Sequence, residues 1–162
     1  MAGTSEWDDF RNECSERYLR HIARLRATAD SMRDLAASEA ERMDGVKAVR
    51  YDAPGKASPT YGDDAMVALV ARMSEHMRFY RRMEEELTDE IADCTERTLR
   101  MEDQSHAELI RRYYCMGQTM AVAARSVGYS ESWAKHGMRA ARVEFYEHLP
   151  HTWRAPEQPA EA

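Results

Sequence analysis

Glycine and proline are absent from two long stretches of the chain, residues 4–44 and 63–116. Between these stretches, residues 45–62 contain three Gly and two Pro, which are the residues that most often end helices and form turns. This distribution predicts two long helices joined by a loop. The loop lacks the glycine spacing of a phosphate-binding loop, so we interpret it as a connector.

Apolar residues recur every three or four positions in both stretches, which is the period of an amphipathic helix. In the second stretch the alternation is that of a heptad seam, which packs against another long helix. We therefore expect an antiparallel, coiled-coil-like hairpin over residues 1–103. The seam contains four methionines, which specify a partner poorly, so a second copy of the chain is an alternative partner. A homo-oligomer, with a dimer favoured, is expected. The two stripes are Trp7, Phe10, Cys14, Tyr18, Ile22, Leu25, Ala29, Met32, Ala36 and Met43, and then Met66, Val70, Met73, Met77, Tyr80, Leu87, Ile91, Cys94, Thr98 and Met101.

Residues 104–149 have a different pattern, with short helical segments separated by glycines. The segment 119–127 is followed by Gly128, Tyr129 and Ser130, in which Gly128 can adopt a positive φ and Ser130 can cap a new helix. Two helices joined by a three-residue turn with glycine are typical of a helix-turn-helix. The sequence thus predicts an all-α fold with a three-helix unit at 104–149. The tail 150–162 contains three Pro and is expected to be disordered. The last helix keeps one apolar face, formed by Ala134, Met138, Ala141, Phe145 and Leu149.

The second helix of a helix-turn-helix lies in the major groove of DNA, with its first residues at the base edges. Lys and Arg suit the acceptors of guanine, and Ser or His can reach several bases. Phosphates can be held by flanking arginines and by the helix starts. The outward candidates for base contact are Glu131, Ser132, Trp133, Lys135, His136 and Arg139, and the candidates for phosphate contact are Thr119, Arg125, Ser130 and Arg142.

The run from Leu109 to Ser130, LIRRYYCMGQTMAVAARSVGYS, resembles region 4 of sigma-70-family factors. The shared pattern is a helix ending in RY, then G-x-T, a short helix, and a three-residue turn. The turn has glycine first, one of Tyr, Val and Phe second, and Ser or Thr third. The run is especially similar to phage and prophage proteins of the ArpU-like and RinA-like kind. The resemblance implies a phage or prophage transcriptional regulator that binds double-stranded DNA. The chain departs from the family at Ala134 and Gly137, where a branched apolar residue is usual, and at Arg142, where Leu is common. The positions that meet DNA in the family are Thr119, Ser130, Glu131, Ser132, Trp133, Lys135, His136 and Arg139.

Charge is distributed unevenly along the chain, whose formal net charge is -6. Residues 104–149 hold six Lys and Arg against four Asp and Glu, whereas residues 1–103 hold 16 against 23. The acidic part would repel DNA and is expected to face protein partners. Two alternatives to a regulator therefore stay open, a phage small terminase-like packaging or assembly protein and a sigma-like adaptor that binds RNA polymerase.

No motif supports catalysis, a cofactor or a metal site. The six histidines are scattered, and the acidic run at 84–93 lacks the Glu-x-x-His pairs of a di-iron bundle. The three cysteines are widely spaced, which fits neither a disulfide framework nor a zinc pair. With no signal segment and no membrane span in the pattern, we expect a soluble, non-enzymatic protein of the reducing cytoplasm.

Overall fold

The computed structural model describes residues 2–51 and 61–154, and the regular elements within them are all helical. The predicted all-α fold is confirmed. Within these residues, no helix combines the length and the apolar character needed to cross a membrane. In chain order the helices are α1 (Ala2–Tyr51), α2 (Tyr61–Thr98), α3 (Gln104–Ile110) with a π-helical turn at Arg111–Cys115, α4 (Met120–Ser126) and α5 (Glu131–Phe145), followed by 3-10 turns at Tyr146–His148 and His151–Trp153.

The long helices extend into the segment that the sequence assigns to a loop at 45–62. Helix α1 continues through Gly45 to Tyr51, and α2 already begins at Tyr61. A glycine inside a helix costs only about 1 kcal/mol relative to alanine, which packing can offset. Val46, just past Gly45, lines an apolar groove together with Met66 and Leu69 of α2. The remainder of the predicted loop, residues 52–60, lies outside the described residues.

The described chain divides into two compact units. Residues 28–87 form the hairpin unit, and residues 2–27 with 88–154 form the core unit. The sequence instead divides the chain at residue 103. The difference arises because the first turns of α1 carry apolar side chains that pack against α5.

Helices α1 and α2 run antiparallel within the hairpin unit, as the sequence predicts. Arg33 Nε donates to Glu84 Oε1 at 2.7 Å, and Ser74 Oγ lies 3.8 Å from the sulfur of Met43. As the residue numbers on α1 increase, those of their partners on α2 decrease, which is the pattern of antiparallel helices. The stripes of both helices contribute Ala29, Ala36 and Met73 to the buried interior.

The core unit is built around one side of α5. All five positions predicted to face inward, from Ala134 to Leu149, are buried. Tyr18 of α1 stacks on Phe145 of α5 with ring centroids 6.2 Å apart and an interplanar angle of 17°. The other buried side chains of the long helices in this unit include Cys14, Leu19, Ile22, Ile91, Cys94 and Thr98.

The segment from Pro150 to Arg154 packs against the core, which corrects the expectation of a disordered tail from residue 150. The ring of Trp153 packs edge-on against Tyr18 at 5.4 Å. Arg154 Nε donates to the carbonyl of Leu149 at 3.0 Å. These contacts hold the chain against the core after Pro150 ends the helical run. Residues 155–162 lie outside the described part of the chain.

Replacing Phe145 tests the central role of its ring. Phe145→Ala removes a side chain with 0% exposure, and we expect it to lower the free energy of unfolding by about 3–5 kcal/mol because it leaves a cavity. Urea unfolding followed by circular dichroism measures the loss. The matched control is Phe79→Ala, because that ring is 51% exposed, and its loss should stay below about 1 kcal/mol. Equal losses for the two variants would contradict the assignment.

Candidate nucleic-acid interface

Helices α4 and α5, which are joined by a turn, each begin with a side-chain cap. The hydroxyl oxygen of Thr119 accepts from the N–H of Val122 at 3.3 Å, and that of Ser130 accepts from the N–H of Trp133 at 3.2 Å. Between the helices, Gly128 has φ +76°, a conformation that favours glycine. The cap at Ser130 and the glycine turn agree with the sequence prediction. This arrangement is a helix-turn-helix.

Small residues allow α4 and α5 to pack closely. Ala123 and Ala124 on α4 are buried, and so are Ala134 and Gly137 on α5. Since the three alanines have side chains of one methyl group, the two backbones can approach each other.

The first two turns of α5 expose polar side chains, as the sequence predicts. Glu131, Ser132, Lys135 and His136 all face solvent. Lys135 Nζ lies 3.2 Å from Glu131 Oε1, and His136 Nδ1 lies 3.2 Å from the carbonyl oxygen of Ser132. These local contacts are exposed and weak, so the groups are available to a ligand.

Trp133, another predicted DNA contact, packs within the motif. Its ring stacks on Tyr129 with centroids 3.6 Å apart, and 46% of the residue is exposed. A Cβ added at Gly137 would lie 3.0 Å from the Trp133 ring. The ring thus fills the space beside Gly137, which accounts for a glycine at a position where the resembled family usually has a branched residue. The feature of the sequence that could have predicted this packing is a tryptophan followed four residues later by a glycine, since residues at this spacing are neighbours on one helix face.

Arg139 and Arg142, which the sequence assigns to DNA, are held by α1. Arg139 Nη2 donates to Asp9 Oδ1 at 2.7 Å. Arg142 Nε donates to Asn12 Oδ1 at 2.7 Å, and its Nη1 donates to the Tyr114 hydroxyl at 3.2 Å. Both predicted DNA contacts therefore already have hydrogen-bond partners on α1, which the sequence pattern does not reveal, and their contact with DNA stays a prediction. The reason is that α1 lies along the second half of α5, a contact between residues about 130 positions apart.

Two grooves in the core unit are lined by the exposed side of α5. The first has a volume of about 760 Å³ and is lined by His136 and Arg139. Its lining includes three arginines and four carboxylates, so its charges nearly balance. The second, of about 680 Å³, is lined by Lys135 and Arg142. Arg125, the remaining predicted phosphate contact, is exposed in the last turn of α4.

One cluster in the core unit offers donor atoms that a metal ion could use. His106 Nδ1 lies 2.7 Å from Glu144 Oε2 and 3.6 Å from Asp103 Oδ2. Both carboxylates already have structural partners: Asp103 caps α3 by accepting from the N–H groups of Ser105 and His106, and Glu144 accepts from the N–H of Asp103 at 3.0 Å. The cluster is therefore explained as a link between the start of α3 and α5. The sequence pattern could not reveal it, because Glu144 is distant along the chain.

No protein family matches the sequence, and neither a curated protein nor a solved structure matches the chain. The resemblance to sigma region 4 and to phage regulators thus stays a prediction from the sequence.

A double-mutant cycle tests the packing of Trp133 on Gly137. Alanine favours a helix over glycine by about 1 kcal/mol, but in the wild-type background its methyl group meets the Trp133 ring. We expect Gly137→Ala to be more favourable by about 1 kcal/mol in a Trp133→Ala background than in the wild type. Urea unfolding of the four proteins gives the coupling free energy. Additive effects would show that the ring does not constrain position 137.

Proposed function

We propose that the protein is a phage or prophage transcriptional regulator that binds double-stranded DNA through its helix-turn-helix. The observation that carries this proposal is the capped α4-turn-α5 arrangement with a polar, exposed first half of α5. Such an arrangement presents side chains at a fixed angle, which reading a base sequence requires. The phage context comes from the sequence resemblance alone.

In this proposal the first two turns of α5 enter the major groove, which is wide enough to admit one helix. Lys135 donates to the N7 and O6 acceptors of guanine, and Ser132 and His136 meet neighbouring base edges. The exposed Arg125 and the start of α4 at Thr119 lie against the sugar-phosphate backbone and set the register. Each of these roles fits the exposure of the side chain that performs it.

A second candidate function is an assembly role, as in a small terminase-like packaging protein. It is favoured by exposed apolar side chains in the hairpin unit, namely Leu35, Val67 and Phe79. In this candidate function, these side chains contact another protein. A packaging ring would be a large oligomer with weak sequence preference, whereas a regulator would be a monomer or dimer with a discrete site. A sigma-like adaptor would instead bind RNA polymerase without selecting a DNA sequence.

Selection of duplexes from a random pool by the purified chain tests the main proposal. The selection is run at about 50 and about 200 mM salt, a range over which binding driven only by phosphate contacts falls steeply. Enrichment of one short site at the higher salt supports a regulator that reads sequence. Uniform binding at low salt alone, or no binding, overturns it, and the oligomeric mass then separates assembly from adaptor.

Lys135 is expected to contribute to the affinity for the selected site. Lys135→Ala should weaken specific binding by about 1–3 kcal/mol and relax the preference at one base pair, because one base-reading contact is lost. Fluorescence anisotropy with the selected duplex and its single-base variants measures both effects. Arg82→Ala, an exposed cation of the hairpin unit, is the control and should bind as the wild type does. Unchanged specificity in Lys135→Ala would exclude α5 as the reading helix.

The ion pair between Asp9 and Arg139 is expected to oppose DNA binding. Asp9→Asn removes a carboxylate 2.7 Å from Arg139 Nη2, which lowers the repulsion of phosphates and frees the guanidinium. Because exposed ion pairs are weak, we expect affinity to rise by about two- to fivefold. The gain should vanish in an Arg139→Ala background. Glu75→Gln, an equal charge change at an exposed site of α2, is the control; an equal gain there would mean that only net charge matters.

A further inference from the structure

Positive charge is concentrated in the groove between α1 and α5, against the trend of the chain. This groove, of about 680 Å³, is lined by four cationic side chains and a single carboxylate, that of Glu16. The chain as a whole has a net charge of -6. A local excess of cations in an acidic protein favours an anionic ligand at this place. The four cationic residues are Arg20, Arg24, Lys135 and Arg142.

Arg142 is the innermost of these charges, and its hydrogen-bond acceptors are neutral. It is half-buried and donates to the side-chain amide oxygen of Asn12 and to the hydroxyl of Tyr114. Burial raises the pKa of Tyr114, an effect that Arg142 only partly opposes, so the phenol stays uncharged. Neither acceptor neutralises the guanidinium. A partly buried cation with uncharged partners is stabilised by an anion that can reach its remaining N–H groups.

Two of the cations at the rim of the groove, Arg20 and Lys135, form exposed ion pairs. Arg20 Nη2 lies 2.6 Å from Glu16 Oε1, with 69% of the Arg20 side chain exposed. Lys135 pairs with Glu131 at 3.2 Å and is 63% exposed. Such pairs contribute little free energy, so an incoming phosphate can compete for the cations.

The groove adjoins the part of the motif that would lie next to the DNA backbone. Gln118, directly before the α4 cap, contributes to its lining, and so does Met120, the first residue of α4. In a helix-turn-helix the first helix crosses the phosphate backbone beside the groove that the second helix reads. A phosphate at this position would therefore belong to the strand that flanks the bases reached by Lys135.

We infer that α1 is part of the DNA-binding surface and that Arg20 and Arg24, together with Arg142, bind a backbone phosphate of the DNA. This inference rests on the proposed function and extends it from the helix-turn-helix to the first long helix. The contact reads no sequence. It supplies affinity and fixes the position of α5 in the major groove.

The test compares two double variants of the full chain with equal charge change. Arg20→Gln with Arg24→Gln alters the groove, whereas Arg81→Gln with Arg82→Gln alters two exposed cations of the hairpin unit. The affinity for a duplex of about 30 base pairs, roughly three helical turns, is measured at several salt concentrations. Each phosphate contact contributes about 0.9 to the slope of log affinity against log salt. Circular dichroism checks that both variants keep the helical content of the wild type.

We expect the groove variant to bind about tenfold more weakly, to lose about 0.9 in slope, and to keep its preference among sequences. The hairpin variant should match the wild type in slope. Groove and hairpin variants that behave alike, while the wild type binds DNA, would overturn the inference and leave the proposed function standing. A wild type that binds no duplex would overturn the proposed function itself.

A Glu-rich peptide provides a second measurement. If the peptide binds the wild type but not the groove variant, and the two proteins bind DNA equally, the groove belongs to an acidic protein partner. That result would also overturn the inference.

Discussion

The packing of the first turns of α1 against α5 is the interaction on which the core unit depends. Tyr18 stacks on Phe145, and Trp153 closes over Tyr18 from the C-terminal segment. Nearer the start of α1, Trp7 and Phe10 pack edge-on against Tyr146. Aromatic rings bury large apolar areas with a preferred geometry, so this cluster fixes the direction in which α1 passes α5.

The course of α1 determines the chemistry around the helix-turn-helix. Because α1 runs along the second half of α5, it places a carboxylate on Arg139 and an amide on Arg142. The same course brings Arg20 and Arg24 to one groove with Lys135. Helix α1 thus forms hydrogen bonds to two cations of α5 and also contributes two cations to the groove. In the proposed function, the balance between these two effects would set how strongly the core unit binds DNA phosphates.

Small residues define the other side of α5. Ala123 and Ala134 permit close packing of the two short helices, and Gly137 leaves room for the ring of Trp133. The motif packs Ala134 and Gly137 at positions where the resembled family usually has branched residues. The aromatic pair of Tyr129 and Trp133 supplies the apolar contact that a branched side chain would otherwise give.

The sequence by itself determined the helices, the capped turn and the inward face of α5, because these follow from local rules. Helical periodicity, the positive φ open to Gly128 and the capping hydroxyl of Ser130 all act within a few residues. Two predictions from the sequence were wrong. The loop does not start at Gly45, where packing on α2 outweighs the small helix penalty of glycine. The segment from Pro150 to Arg154 is not disordered but packs against the core. Only the tertiary structure decided which arginines of α5 meet α1, which cations share a groove, and that Asp103, His106 and Glu144 lie together. Those contacts join residues far apart along the chain, and their geometry depends on how whole helices pack, which no local pattern encodes.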